Sequence, residues 1–247
     1  MAPASPAKGF TLNSALELKA LAAQFGRSGR IQITDFLGAG QAEMLRQSLL
    51  AREDWALILN AGEKVYDISR ATRTQMSEEQ LRRLDELTLA AARNGFHYRY
   101  ESIRVPDEPG GRASADLLSA FIRFMSSDQV LEFLGAVIGR ADLSFADGQA
   151  TAYSNGHFLT AHTDDVEGKQ RRAAYVLGLS PVWRPEWGGL LMFHDSEENI
   201  EEAFTPKMGA LRLFSVPVRH SVSYVNPLAP EPRLSVTGWL RADRPES

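Results

Sequence analysis

The residues best suited to chemistry fall in one order over one stretch: His162, Asp164, His220 and Arg233, with Trp187, Gly188 and Gly189 between them. Two imidazoles and one carboxylate fill one face of an octahedral metal and leave the opposite three positions to a co-substrate and dioxygen. This is the donor pattern of non-haem Fe(II) oxygenase chemistry, although Mn, Co, Ni or Zn accept the same donors. Arg233 opens the run Arg233 to Leu240, which is otherwise apolar or small. A guanidinium in a half-buried strand needs an anion, either a core Asp or Glu or the far end of a dicarboxylate, whose geometry its planar fork matches. Thr237, four residues on and on the same face of the strand, can add a hydroxyl to that anion.

The pair His162 and Asp164 says little alone, because five His and 31 acids in 247 residues yield such a pair by chance. The weight lies in a second His 56 residues after Asp164 and an Arg 13 residues after that His, each inside a strand-like run. Alternate side chains of an extended segment share a face, so one strand is expected to deliver both His162 and Asp164. His220 must then arrive from another strand, which requires a closed or sandwiched sheet.

From Asp142 onward the apolar pattern repeats every second residue, with strand-like runs at 142–153, 158–164, 172–180, 189–194, 210–216, 221–225 and 233–241. Short strands punctuated by Gly and Pro argue for a sandwich or barrel and against a parallel βαβ sheet. A jelly-roll leaves a mouth between its sheets where side chains converge. Ahead of it, Ser14 with Glu17 and Ser77 with Gln80 read as capping boxes that open helices, the first spanning 14–25, and another helix is expected at 41–50. Ile31, Ile33 and Phe36 suggest a short strand, and 96–105 a further one. Stripes at Leu117 to Met125 and Val130 to Ile138 read as core helices. The expected architecture is mostly β with added helices, a single domain over 1–247: residues 1–95 form a helix-rich support and 96–242 a double-stranded β-helix core. Two Pro and two Gly make Val105 to Arg112 a loop placed to act as a flap.

A net charge of −4 supplies no general field for nucleic acid, so none is expected as a partner. The absence of cysteine excludes disulfides, zinc–thiolate sites and iron–sulfur clusters, leaving His, carboxylate or carbonyl to hold any metal. Met1 to Phe10 lacks an apolar stretch of signal-peptide length, and no run approaches the roughly 18 apolar residues of a membrane span. The expectation is a cytoplasmic protein with no membrane partner.

The stretch Tyr153 to Asp164, with Gly156, Phe158 and Leu159 inside it, then Arg171 to Leu177, then Trp187 to Leu190, then His220 and Arg233 to Trp239, resembles the 2-oxoglutarate and Fe(II)-dependent dioxygenases. Within them it is most similar to the prolyl-hydroxylase group, including the branch that modifies a ribosomal-protein proline. The resemblance covers roughly residues 120 to 242 and is specific to the superfamily, not to a substrate. It implies that His162, Asp164 and His220 bind Fe(II), and that 2-oxoglutarate reaches Arg233 with its far carboxylate. It also implies that Tyr153 lies beside the co-substrate and that Trp239 lines the wall. With dioxygen as the other co-substrate, it implies oxidative decarboxylation to succinate coupled to hydroxylation of an aliphatic C–H, of a prolyl residue or an amino acid. A carboxylate at 164 favours hydroxylation over halogenation, since halogenating relatives carry a small residue there. A peptide, protein or small molecule remains open as the substrate. Two other readings stay in view: a natural-product tailoring oxygenase with the same chemistry, and a non-catalytic barrel that binds metal or dicarboxylate.

One departure concerns Leu177, Gly178 and Leu179, where relatives often carry an aromatic. Alternation points Gly178 into the lumen with Ala174 and Val176 and predicts a roomier pocket. His194 and Asp195 face opposite sides of a strand and are not expected to share a metal, while His97 and His157 read as surface or rim groups. Lys169, Arg171 and Arg172 read as a solvated hairpin face, or as a grip on an acidic or peptide substrate. Tyr98, Tyr100 and Arg104 share a face that can line the mouth. Glu197 to Glu202 reads as a solvated helix or loop.

Overall fold

Alternation decides which way each strand of this protein faces. In a computed structural model, which describes residues 9–61, 64–106 and 116–242, strand β8 (Arg171–Gly178) sends Ala173, Tyr175 and Leu177 into one apolar core and Ala174 and Val176 into another. The first core lies under helices α1 (Leu18–Ser28), α2 (Gln41–Leu50), α5 (Leu117–Met125) and α6 (Asp128–Ile138), which contribute Phe25, Leu45, Phe121 and Leu134 among others. The second lines the barrel interior.

The strands run antiparallel. Strand β11 (Leu211–Ser215) lies between β1 (Arg30–Ile33) and β8, and β13 (Arg233–Arg241) lies between β8 and β6 (Gln149–Tyr153), with the two-residue β5 (Phe145–Ala146) paired to its end. Strand β4 (Tyr98–Arg104) then bridges the two halves, pairing with β6 through Glu101 to Arg104 and with β7 (Phe158–His162) through Tyr98 and Arg99. Beyond β7 come β12 (His220–Val222), β9 (Leu191–His194) and β10 (Ile200–Phe204). This is the jelly-roll expected from the sequence.

Local chemistry accounts for several boundaries. At helix α4 (Glu78–Ala92) the Ser77 and Gln80 capping box forms in both directions. The one expected at Ser14 and Glu17 does not: Asn13 Oδ1 accepts from the Ala15 amide in a local turn, and α1 starts four residues late with no side-chain cap. Strands β2 (Ala56–Ala61) and β3 (Lys64–Ser69) form an antiparallel pair, of which β2 also pairs with β4, and neither has a counterpart among the expected elements. The acidic run expected as a solvated helix or loop instead enters β10: Phe204 meets Phe193 edge-on, and Glu201 and Glu202 both pair with Arg30. Short helix α3 (Arg70–Thr74) supplies Arg70, which with Arg73 clamps the buried Glu101 of β4. Burial pushes that carboxyl up, but the two guanidiniums outweigh it and hold it below its usual range. Of the loop expected to act as a flap, residues 107–112 lie outside the described residues. No helix among the described residues is long and apolar enough to cross a membrane.

Candidate active site

His220 of β12 stands directly opposite His162 of β7 in the strand register, with their rings 4.2 Å apart. Asp164 completes the group, but not by the expected alternation. Strand β7 ends at His162, and Asp164 adopts a left-handed backbone, φ 61°, that swings its carboxylate back between the rings. Its Oδ1 lies 3.2 Å from His162 Nε2 and its Oδ2 3.3 Å from His220 Nε2. Arg171 Nη1 donates to the Asp164 carbonyl at 2.9 Å and fixes this turn, while the Arg171 guanidinium lies 3.6 Å over the Trp239 ring.

The tautomers follow from the other ring nitrogens. His162 Nδ1 donates to the Thr160 carbonyl at 3.1 Å and His220 Nδ1 to the Val218 carbonyl at 2.8 Å. In the neutral rings both Nε2 atoms therefore present lone pairs to a carboxylate, an arrangement of acceptors that only a cation or added protons can hold together. Ligand atoms of the three residues lie within 4.8 Å of one another, so they fit a metal ion. Burial pushes the Asp164 carboxyl up, yet hydrogen bonds from Nε2–H of the two rings, and their positive charge when protonated, outweigh it and hold the group far below the usual carboxylate range.

The cavity around them holds about 480 Å³. Arg233, 4% exposed, lines its far side, makes no ion pair among the described residues, and leaves Nε without a hydrogen-bond partner. The alternative of a core Asp or Glu partner is thus not realised there. Its guanidinium lies 5.1 Å from the Tyr153 ring, which burial keeps protonated far above the ordinary phenol range. Thr237 and Trp239 also line the cavity. Gly189 lets the chain pass close to Arg233, since a β-carbon there would stand 3.0 Å from Arg233 Cδ. Trp183 Nε1 donates to the Gly188 carbonyl at 2.8 Å and holds that turn.

Three expectations change. Gly178 opens no room: a β-carbon there would meet the Lys207 carbonyl oxygen and Arg212 Nη1, the latter at 2.5 Å. Arg212, 2% exposed, donates to the Thr205 carbonyl at 2.5 Å and leaves Nε unpartnered among the described residues. Burial and then the charge of Arg233 bring its pKa down to about 9. His97 and His157, read as surface or rim groups, are buried at 8% and 5% exposure. Of the basic cluster, Arg172 pairs with Asp142 at 2.8 Å and does not line the cavity, whereas Arg171 does. His194 bonds Ser221 and Asp195 caps the following turn, so neither joins the metal group.

An aromatic rail completes the mouth: Phe96, Tyr98, Tyr100 and Tyr153 follow one another at centroid spacings of 5.6, 5.7 and 5.1 Å, and Phe96 also lies 5.4 Å from His162.

Residues 148–241 match the model of the 2OG-Fe(II) oxygenase superfamily. Over 102 residues the chain is 36% identical to mouse prolyl 3-hydroxylase OGFOD1, a stretch that covers 38% of this chain and 18% of that protein. This chain thus matches less than a fifth of that relative's length. Among solved structures it is similar to a Pseudomonas putida prolyl-4-hydroxylase, with TM-score 0.59 and 22% identity over 92% of this chain and 99% of that one. It is also similar to a Trichoplax adhaerens prolyl hydroxylase solved with a hypoxia inducible factor peptide fragment, with TM-score 0.58 and 16% identity over 91% and 89% of the chains. The epimerase SnoN from nogalamycin biosynthesis matches with TM-score 0.55 and 14% identity over 91% and 83%. At these identities the structural likenesses speak to the fold alone.

Proposed function

We infer, from the match of residues 148–241 to the 2OG-Fe(II) oxygenase superfamily, that this protein hydroxylates an aliphatic carbon of a prolyl residue presented in a peptide or protein. The observation that carries the reading is the joint convergence in one cavity of two Nε2 lone pairs, a carboxylate and a buried guanidinium that lacks an acid partner among the described residues.

In this reading His162, Asp164 and His220 hold Fe(II), and Arg233 pairs with the distal carboxylate of 2-oxoglutarate. When bound, these groups and dioxygen supply oxidative decarboxylation of the co-substrate to succinate coupled to insertion of one oxygen atom into a C–H bond. Arg171, through the Asp164 carbonyl, keeps the carboxylate turned toward the rings. Thr237 and Tyr153 bound the co-substrate's end of the cavity. The rail from Phe96 to Tyr153 offers faces on which a pyrrolidine ring packs while its carbon points at the metal group. The tailoring alternative drew on room beside Gly178, and Arg212 takes up that space.

The test is turnover of purified protein with Fe(II), ascorbate, 2-oxoglutarate and proline-containing peptides. Succinate formed in step with a peptide mass gain of one oxygen atom supports the reading. Succinate formation that depends on a free small molecule and never on a peptide overturns it.

A further inference from the structure

A second pocket of about 290 Å³ opens beside the iron cavity and shares Tyr100, Gln149, Arg171 and Trp239 with it. Among the described residues its charged lining is Arg104, Lys169, Arg171 and Arg241, with the carboxylate of Asp147. Among the described residues the balance here is thus cationic, opposite in sign to a chain whose net charge is −4. Asp165, on the turn after Asp164, lines the iron cavity and not this pocket.

Two of the cations are already fixed. Arg171 is held between the Trp239 ring and the Asp164 carbonyl. Arg241 donates from Nε to the Lys169 carbonyl at 2.7 Å and lies 3.5 Å from Asp147, itself accepting from the Trp239 amide at 2.8 Å. Groups held in this way lose little freedom when a ligand arrives. The other two, Arg104 at the end of β4 and Lys169 before β8, are exposed and have no acidic partner among the described residues. The rings of Tyr100 and Trp239 offer flanks for a short methylene stem.

We propose that this pocket binds a carboxylate carried by the substrate next to the residue being hydroxylated, so that the enzyme selects acidic sequence around its target. The inference deepens the prolyl reading and rests on it for the position of the target. Such a carboxylate comes from an Asp or Glu side chain or from a free C-terminus. Both present the same planar oxygens to guanidinium groups.

The experiment uses one synthetic peptide with a central proline, in which Asp, Asn or Lys is moved through each flanking position, with the C-terminus free or amidated. KM is measured with Fe(II) and 2-oxoglutarate, and peptide affinity is measured separately by anaerobic titration of tryptophan fluorescence. At the favoured position Asp should lower KM and the dissociation constant roughly tenfold relative to Asn, with Lys weaker still and the gain shrinking in high salt. A free C-terminus that substitutes for Asp identifies the terminal carboxylate as the source. The double variant Arg104→Glu and Lys169→Glu should reverse the order of Asp and Lys, and Arg104→Gln with Lys169→Gln should flatten it. Melting temperature and 2-oxoglutarate affinity report on the fold in both.

Peptides hydroxylated with equal KM for Asp, Asn and Lys overturn the inference and leave the prolyl reading standing. If no peptide is hydroxylated, the prolyl reading falls, and the titration alone decides: a preference for Asp that the double variant reverses sustains the anion pocket, and equal affinities overturn it.

Discussion

Arg212 Nη1 stands 2.5 Å from the place a β-carbon at Gly178 would occupy, and the Lys207 carbonyl oxygen is closer still. Gly178 is therefore the residue that lets a buried guanidinium and a backbone carbonyl pack directly against strand β8. The backbone oxygen cannot swing aside as a flexible side chain can. Gly178→Ala should cost about 1–3 kcal/mol. In a domain of this size that is a fall in melting temperature of a few to about 10 °C. Differential scanning calorimetry checks it, and an unchanged melting point would mean that this contact relaxes freely.

Much of the site is legible in the sequence because its residues contradict their surroundings. His220 and Arg233 are polar groups inside strand-like apolar runs, alternation places Thr237 on the cavity side with Arg233, and the family resemblance places Trp239 on the wall it does line. Asp164 is singled out by an alternation that does not operate, since a left-handed turn delivers it and not a continuing strand. Arg212 is invisible at that level because a lone Arg in an apolar strand has no spacing signature. Its significance needs the neighbouring Arg233, 21 residues away in sequence. Strand β10 is hidden by its glutamates, which alternation alone reads as solvent-facing and which are in fact held by Arg30 from a distant strand.

Removing the charge of Arg233 should separate function from stability. A buried guanidinium with no acid partner among the described residues destabilises the ligand-free protein, so Arg233→Met should leave its melting temperature unchanged or raise it. The same change should weaken 2-oxoglutarate by about 100-fold, the usual scale for truncating one partner of a buried charge pair. Metal affinity should hold, because Arg233 is not among the metal group. Calorimetric titration of Mn(II) and then 2-oxoglutarate separates the two, and equal loss of both would contradict the division of roles.

His157 links stability to pH. Burial, with Arg99 adding to it, lowers its pKa to about 4 from an ordinary value of 6.5, and its Nδ1 accepts from the Ser154 amide. The folded protein thus keeps the ring neutral where the unfolded chain would protonate it. That contribution is complete above pH 6.5 and disappears as pH falls toward 4, by up to about 3 kcal/mol. Urea melts at several pH values should show wild type losing stability across this window more steeply than His157→Gln. Parallel curves would remove His157 as the cause.

Arg171 should govern the metal without touching it. Its Nη1 bond to the Asp164 carbonyl steadies a left-handed turn at an Asp, and stacking on Trp239 holds the guanidinium in place. Supporting contacts of this kind typically change metal affinity by roughly 10- to 100-fold when removed. Arg171→Ala should fall in that range. Arg171→Lys should recover only part of the loss, because an ammonium lacks the planar face that lies on the indole. Competition of a fluorescent chelator for Fe(II) or Mn(II) measures both variants. Full recovery by Lys would show that charge near Asp164 is enough, and that the stacked geometry contributes nothing.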